Sequence, residues 1–282
     1  RSTQFASSAA SDVYKSQTPK LERLMAEMEQ QSLENNDSLT QLTILSALSV
    51  GYSSLGEPEK KYIAERRSFE LWQGLPEWCE AEPRRYLSTI NGLIYAAQGL
   101  KKYDEAYALI DKVREIKFDS PASRAHVFRF LATYQLDFSF EAKKYRELEQ
   151  YIEGEFRREM ELYQDKIGDY NALWLYYSAA YYAFIMEKYE LALEMLNKVM
   201  SYKKVEMKKE MQAAARLLNL LTHLELGNDE MLEHITLSAQ RYLKSRDFYF
   251  EFERLFLRYF GKLAKHYNDN DRQPLYREMK TS

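Results

Sequence analysis

Between Tyr176 and Val199 the chain reads YYSAAYYAFIMEKYELALEMLNKV. A helical run ends near Lys188, a tyrosine follows at 189, and a second helical run begins. In the first of these runs, expected over Ala172 to Lys188, Leu173, Tyr176, Ala180 and Ala183 fall on one face of a 3.6-residue period. Trp174, Tyr177, Tyr181 and Ile185 fall on a second. A surface helix has one apolar stripe, so this one is expected to be central, with partners on two sides.

The same design recurs outward from this stretch. A basic-tyrosine string is found at Tyr62, Tyr103, Tyr145 and Tyr189, spaced by 41, 42 and 44 residues. Continuing at that period reaches Asp229 and Asp271, and going backwards it reaches Leu21. Around Tyr103, Leu87, Ile90, Ile94 and Ala97 precede the turn, whereas Ala106, Leu109, Ile110 and Val113 follow it, both sets with helical spacing. Breaks between units carry Gly74, Pro76 and Pro83, then Asp119-Ser120-Pro121, Gly168-Asp169 and Ser245-Arg246-Asp247. A lone two-helix hairpin cannot bury a wide apolar face, so about six to seven antiparallel pairs are expected to stack in sequence order around a continuous core. The expected fold class is all-α, with an N-terminal partial hairpin over 1–36, repeats over 37–267 and a capping segment over 268–282. Pro274 to Lys280 is expected to cover the last hairpin.

Composition agrees with a helical array and narrows the function. Nine Gly and six Pro make up about 5% of 282 residues, against roughly 12% in average chains. Hairpin-rich β folds and Gly-rich phosphate loops are therefore disfavoured. Forty basic and forty-three acidic side chains are interspersed, with a formal net charge of −3, so no basic stripe marks a nucleic-acid partner. The lone Cys79 has no cysteine to pair with in the chain, which fits a cytoplasmic setting. The first twelve residues are small and polar, without the apolar run of a signal peptide. The start at Arg1 rather than Met is read as a fragment or processed form with an upstream part missing. The most apolar segment, Asn171 to Met186, is shorter than the roughly 20 residues of a membrane span and holds four tyrosines. A core helix, not a membrane insertion, is expected there.

Ala180, Tyr189, Ala192, Leu196 and Val199 resemble the pattern of the tetratricopeptide repeat family, and Ile94, Tyr103, Ala106, Ile110 and Val113 follow it more loosely. Ala106 and Ala192 are expected to be small because two helices cross closely there. The period of 40 to 44 exceeds the 34 usual for that family. The first-helix Gly is absent, and the closing Pro is absent from most units. The array is thus an elongated, degenerate relative, with an armadillo-like or HEAT-like array as the structural rival. The segment from Ala215 to Lys265 also resembles the C-terminal part of large uncharacterised bacterial helical-repeat proteins. The resemblance implies a right-handed α-α superhelix whose first helices line a concave surface.

Catalytic and metal constellations are weak. His126, His223, His234 and His266 form no closely spaced set, and no HExxH, G-x-S-x-G or Walker loop is present. Asn268 to Asp271 has the composition of a calcium-loop start but lacks the Gly and Glu at the required positions, and it reads as a polar turn. Carboxylate pairs such as Glu147 with Glu149 and Glu251 with Glu253 sit on helices that are acidic throughout. No cofactor and no metal is expected, and no enzymatic activity.

Counting back from each turn by one fixed interval, the resemblance points to Ser88, Asn91 and Tyr95, then Phe130 and Thr133, then Trp174, Tyr177 and Tyr181. Stiff aromatics bury much area for little lost rotamer freedom, and their polar tips can pair with a peptide backbone. The same aromatics equally suit packing between repeats. The expected function is a protein or peptide interaction scaffold. Its rival is a peptide-sensing half of a larger bacterial transcription or signalling regulator. The family's carboxylate clamp of Lys and Asn has no recognisable counterpart in the sequence.

Overall fold

A computed structural model describes residues 19–31, 34, 37–116, 120–202, 209–265, 272–275 and 277–278, and these residues form helices and turns with no strand. The polar N-terminus, His266 and the Asn268–Asp271 turn lie outside the described residues, as does Asp119.

The chain separates into two compact units, Arg1–Val127 and Phe128–Ser282. In the first, α1 (residues 19–31) precedes a pair of helices, α2 (Ser38–Leu55) and α3 (Pro58–Gln73). A short α4 (Pro76–Ala81) leads to the second pair, α5 (Pro83–Gly99) and α6 (Tyr103–Glu115). Pro58, Pro76 and Pro83 each open a helix, where the missing amide proton costs nothing. The unit boundary falls within α7 (Pro121–Glu141). The second unit pairs α7 with a longer helix formed by α8 (Tyr145–Tyr151), a π-helical turn (Ile152–Phe156) and α9 (Arg157–Tyr163). It continues with α10 (Asp169–Ile185) and α11 (Tyr189–Ser201), then α12 (Lys209–Glu225) and α13 (Asp229–Ser245), and α14 (Glu251–Leu263).

One backbone device builds the turn of all five described pairs. Gly56, Lys101, Lys143, Glu187 and Gly227 have φ between 57° and 71°. The amide of the next residue then reaches back five positions, from Glu57 to Tyr52 (2.9 Å), Lys102 to Ala97 (2.9 Å), Lys144 to Ser139 (2.8 Å), Lys188 to Ala183 (2.9 Å) and Asn228 to His223 (3.0 Å). This is the hydrogen-bonded helix stop in which a left-handed residue closes the last turn. The second helices then begin at Pro58, Tyr103, Tyr145, Tyr189 and Asp229. Tyr62 is therefore not a turn residue. The first hairpin turns earlier, where Gly56 takes the left-handed place of Lys101, Lys143 and Glu187 and Pro58 starts the helix in place of Tyr103, Tyr145 and Tyr189.

Three of those left-handed residues carry a Cβ that disfavours the conformation by about 1–2 kcal/mol. Glu187→Gly and Lys143→Gly are each expected to raise stability by about 0.5–1 kcal/mol, after the added freedom of the unfolded glycine is discounted. An increased urea midpoint at unchanged slope checks this.

Packing follows the apolar spacing. Leu87, Ile90, Ile94 and Ala97 are buried, as are Ala106, Leu109, Ile110 and Val113. Ala180 and Ala192 are fully buried where α10 meets α11. Successive pairs touch within each unit, α3 against α5 and α11 against α12. Side-chain bonds between neighbours span about one repeat. Tyr62 donates to Glu105 (2.6 Å), 43 residues away; Arg157 to Glu194 (2.8 Å), 37 away; and Tyr182 to Asp137 (2.7 Å), 45 away. The buried Arg272 donates to Asp229 (2.5 Å), 43 residues before it, which ties the C-terminal segment to the start of α13. Most of the exposed ion pairs contribute little; apolar burial supplies the stability.

The helix after Tyr145 shows how sequence spacing dictates local geometry. Leu148, Ile152, Phe156 and Met160 are all fully buried and recur every four residues. On a regular α-helix such residues drift about 40° per step. The π-helical turn Ile152–Phe156 adds a residue to one turn and returns them to a common face. Phe156 thereby meets the rings of Phe128 (6.5 Å), Tyr151 (6.0 Å) and Tyr176 (6.2 Å).

Candidate functional site

α10 begins after Gly168, whose φ of 83° suits glycine, and runs from Asp169 to Ile185 rather than from Ala172 to Lys188. Its buried side holds Ala172, Leu173, Leu175, Tyr176, Ala179, Ala180 and Ala183. Tyr176, on that side, donates to Gln164 (3.1 Å), and burial pushes its phenol up to about 12. The second apolar stripe is not covered as the spacing suggested. Trp174 is 44% exposed, Tyr181 43% and Ile185 46%, with Tyr177 half-buried between them. The helix is wide on its buried side, and its remaining face is left to solvent.

α7 contributes the next part. Phe130 and Thr133 are half-buried, fifteen and twelve residues before α8 begins, as Trp174 and Tyr177 stand before α11. The Arg129 guanidinium lies 4.3 Å from the Phe130 ring, and the Thr133 hydroxyl donates to the Arg129 carbonyl (2.9 Å). Arg129 occupies a place filled in the other pairs by buried Leu42, Leu87, Leu173 and Ala213. Burial pulls its guanidinium below the usual arginine range.

Tyr182 joins the two helices. Its hydroxyl donates to Asp137 Oδ1 (2.7 Å), its ring is 4.5 Å from Phe140, and Tyr181 meets it edge-on at 5.7 Å. Asp137 stands eight residues before α8, as Tyr181 stands eight before α11, and it bonds to the neighbouring Tyr182, so the contact joins α7 and α10 within one residue of equivalent positions. Asp137 joins the candidate residues through this contact, at the same interval before its second helix as Tyr95 and Tyr181. Burial holds its carboxyl above the usual range, with Glu141 adding to the rise and the Tyr182 hydroxyl opposing it. Tyr182 is pushed up strongly by burial and by that carboxylate, and Tyr177 is pushed up by burial. The combined feature is a row of aromatic faces with one half-buried carboxylate along its edge, suited to stacking and to charge-assisted hydrogen bonding.

The remaining candidates form a separate set in the first unit. Ser88 is exposed, Asn91 half-buried and Tyr95 59% exposed on α5. Ser88 borders a polar cleft of about 150 Å³ that includes Ser46, Ser68, Arg85 and Thr89. In the cleft wall, Ser49 donates to the Glu65 carboxylate, which rests against Gly92 where a Cβ would collide with it. Burial raises Glu65 above the ordinary carboxylate range. The folded state therefore holds that proton more tightly than the unfolded chain, so stability is greater below the ordinary value and is lost as pH rises through the folded one. Glu65→Gln is expected to be more stable than the parent at pH 7 and equal to it at low pH, as read from urea midpoints. A second cavity of about 340 Å³, lined by Leu45, Leu48, Tyr52, Ile63 and Ala64 with Lys60 and Arg67, opens beside α1 in the same unit.

Among the described residues, no group of three or more His, Cys, Asp and Glu is placed to hold a metal ion. His223 is buried with Nδ1 3.0 Å from the Asn228 amide, whereas His126 and His234 are exposed. No described helix is long and apolar enough to cross a membrane. The class defined by these observations is an all-helical protein of successive packed pairs. No family profile, no curated protein and no solved structure matches the chain.

Proposed function

We propose that the chain is a protein-interaction scaffold of tetratricopeptide-like pairs, cytoplasmic and without enzymatic activity, that binds an extended peptide or a partner helix along its first helices. The superhelical course implied by the resemblance belongs to the same proposal. The observation that carries it is the row of Trp174, Tyr181 and Ile185, exposed along α10 with the half-buried Tyr177 among them, on a helix whose opposite side is buried. Aromatic side chains left to solvent in one contiguous stripe lower the free energy by desolvation when a partner covers them. The stripe is aromatic and borders a carboxylate, so a polypeptide is a better match than a phosphate backbone.

Selection of a random twelve-residue display library on the purified chain tests the reading. Enriched peptides are expected to bind the parent and to lose about tenfold or more in affinity on the Trp174→Ala/Tyr181→Ala double variant, at unchanged helical content. Peptides that bind the variant as well as the parent, or no enrichment at all, would overturn it.

A further inference from the structure

We infer that the segment recognised by this face presents a basic side chain, lysine or arginine, to Asp137. The inference rests on the interaction reading above and specifies its chemistry.

Eight residues before the second helix, the other four described pairs carry Val50, Tyr95, Tyr181 and Leu221. Only α7 among them places a charge there. Among the described residues, the groups that act on Asp137 are the Tyr182 hydroxyl and the Glu141 carboxylate, with no cation paired to it. Lys188, which follows α10, is engaged with Glu149 at 2.7 Å. An asparagine would also accept the Tyr182 hydrogen bond and would bury no charge, so the hydrogen bond by itself does not require a carboxylate. The charge becomes favourable when a cation arrives beside it. The surroundings suit that guest: Tyr182, which holds the carboxylate, has the Phe140 and Tyr181 rings against its own, and a lysine or arginine stem packs on such rings while its head pairs with the acid. The apolar remainder of the peptide then lies along Trp174 and Tyr177.

The test uses an enriched library peptide and its counterpart in which the basic residue is norleucine, measured by fluorescence polarisation against three proteins. On the parent, the norleucine peptide is expected to bind at least about tenfold more weakly than the basic one. Asp137→Asn, which keeps the acceptor for Tyr182, is expected to abolish that difference while binding the norleucine peptide as the parent does. Tyr182→Phe is expected to keep most of the difference, because the carboxylate remains. Enriched peptides without a basic residue, or an undiminished difference on Asp137→Asn, would overturn the inference and leave the scaffold reading standing. Failure to enrich any peptide would remove the scaffold reading and this inference with it.

Discussion

Phe156→Ala is expected to cost about 3–5 kcal/mol of folding stability, the range for truncating a fully buried aromatic ring. Phe156 has no exposed surface and is contacted by rings from α7, α8 and α10. Its removal leaves a cavity shared by three helices of two successive pairs. The surrounding helices cannot collapse onto it without breaking the four-residue spacing that the π-helical turn maintains. Urea unfolding followed by circular dichroism reads the loss. A change below about 1 kcal/mol would mean that these pairs do not share an interior.

Trp72→Ala is the corresponding test in the first unit, with an expected loss of about 3–5 kcal/mol. Trp72 is 1% exposed at the end of α3 and packs 5.8 Å from Tyr86 of α5, which also stacks on Phe69 at 6.2 Å. It therefore closes the seam between the first and second pairs. Trp78, 41% exposed on α4, is the control, and Trp78→Ala is expected to stay within about 0.5 kcal/mol of the parent. Similar losses for the two tryptophans would contradict the packing described.

The helix pairs were legible because burial imposes its period on the sequence. Leu87, Ile90, Ile94 and Ala97 face inward with the 3.6-residue spacing that marks them, and Ala180 and Ala192 are small where helices cross. Turns were legible where one chemistry repeats: Tyr103, Tyr145 and Tyr189 each begin a second helix. Tyr62 misleads for a physical reason. A left-handed turn needs only a tolerated φ and a helix start, and Gly56 with Pro58 supplies both without any tyrosine. Apolar spacing also could not tell Trp174 from Leu173, because periodicity reports which residues share a face and not what covers that face. Aromatic spacing does not mark Asp137, because a carboxylate on the same face carries no aromatic signal. Its importance lies in Tyr182, which arrives from 45 residues away. The π-helical turn left a trace in the strict four-residue recurrence of Leu148, Ile152, Phe156 and Met160.

A binding face on α10 requires that its aromatic stripe be open rather than packed. The direct measurement is the unfolding free energy of the Trp174→Ala/Tyr181→Ala variant. Half-exposed rings on an uncovered face predict a loss within about 1–2 kcal/mol of the parent, far below that of Phe156→Ala. A loss of about 5 kcal/mol or more would show that the two rings are part of the interior, and the binding face described for this helix would not exist.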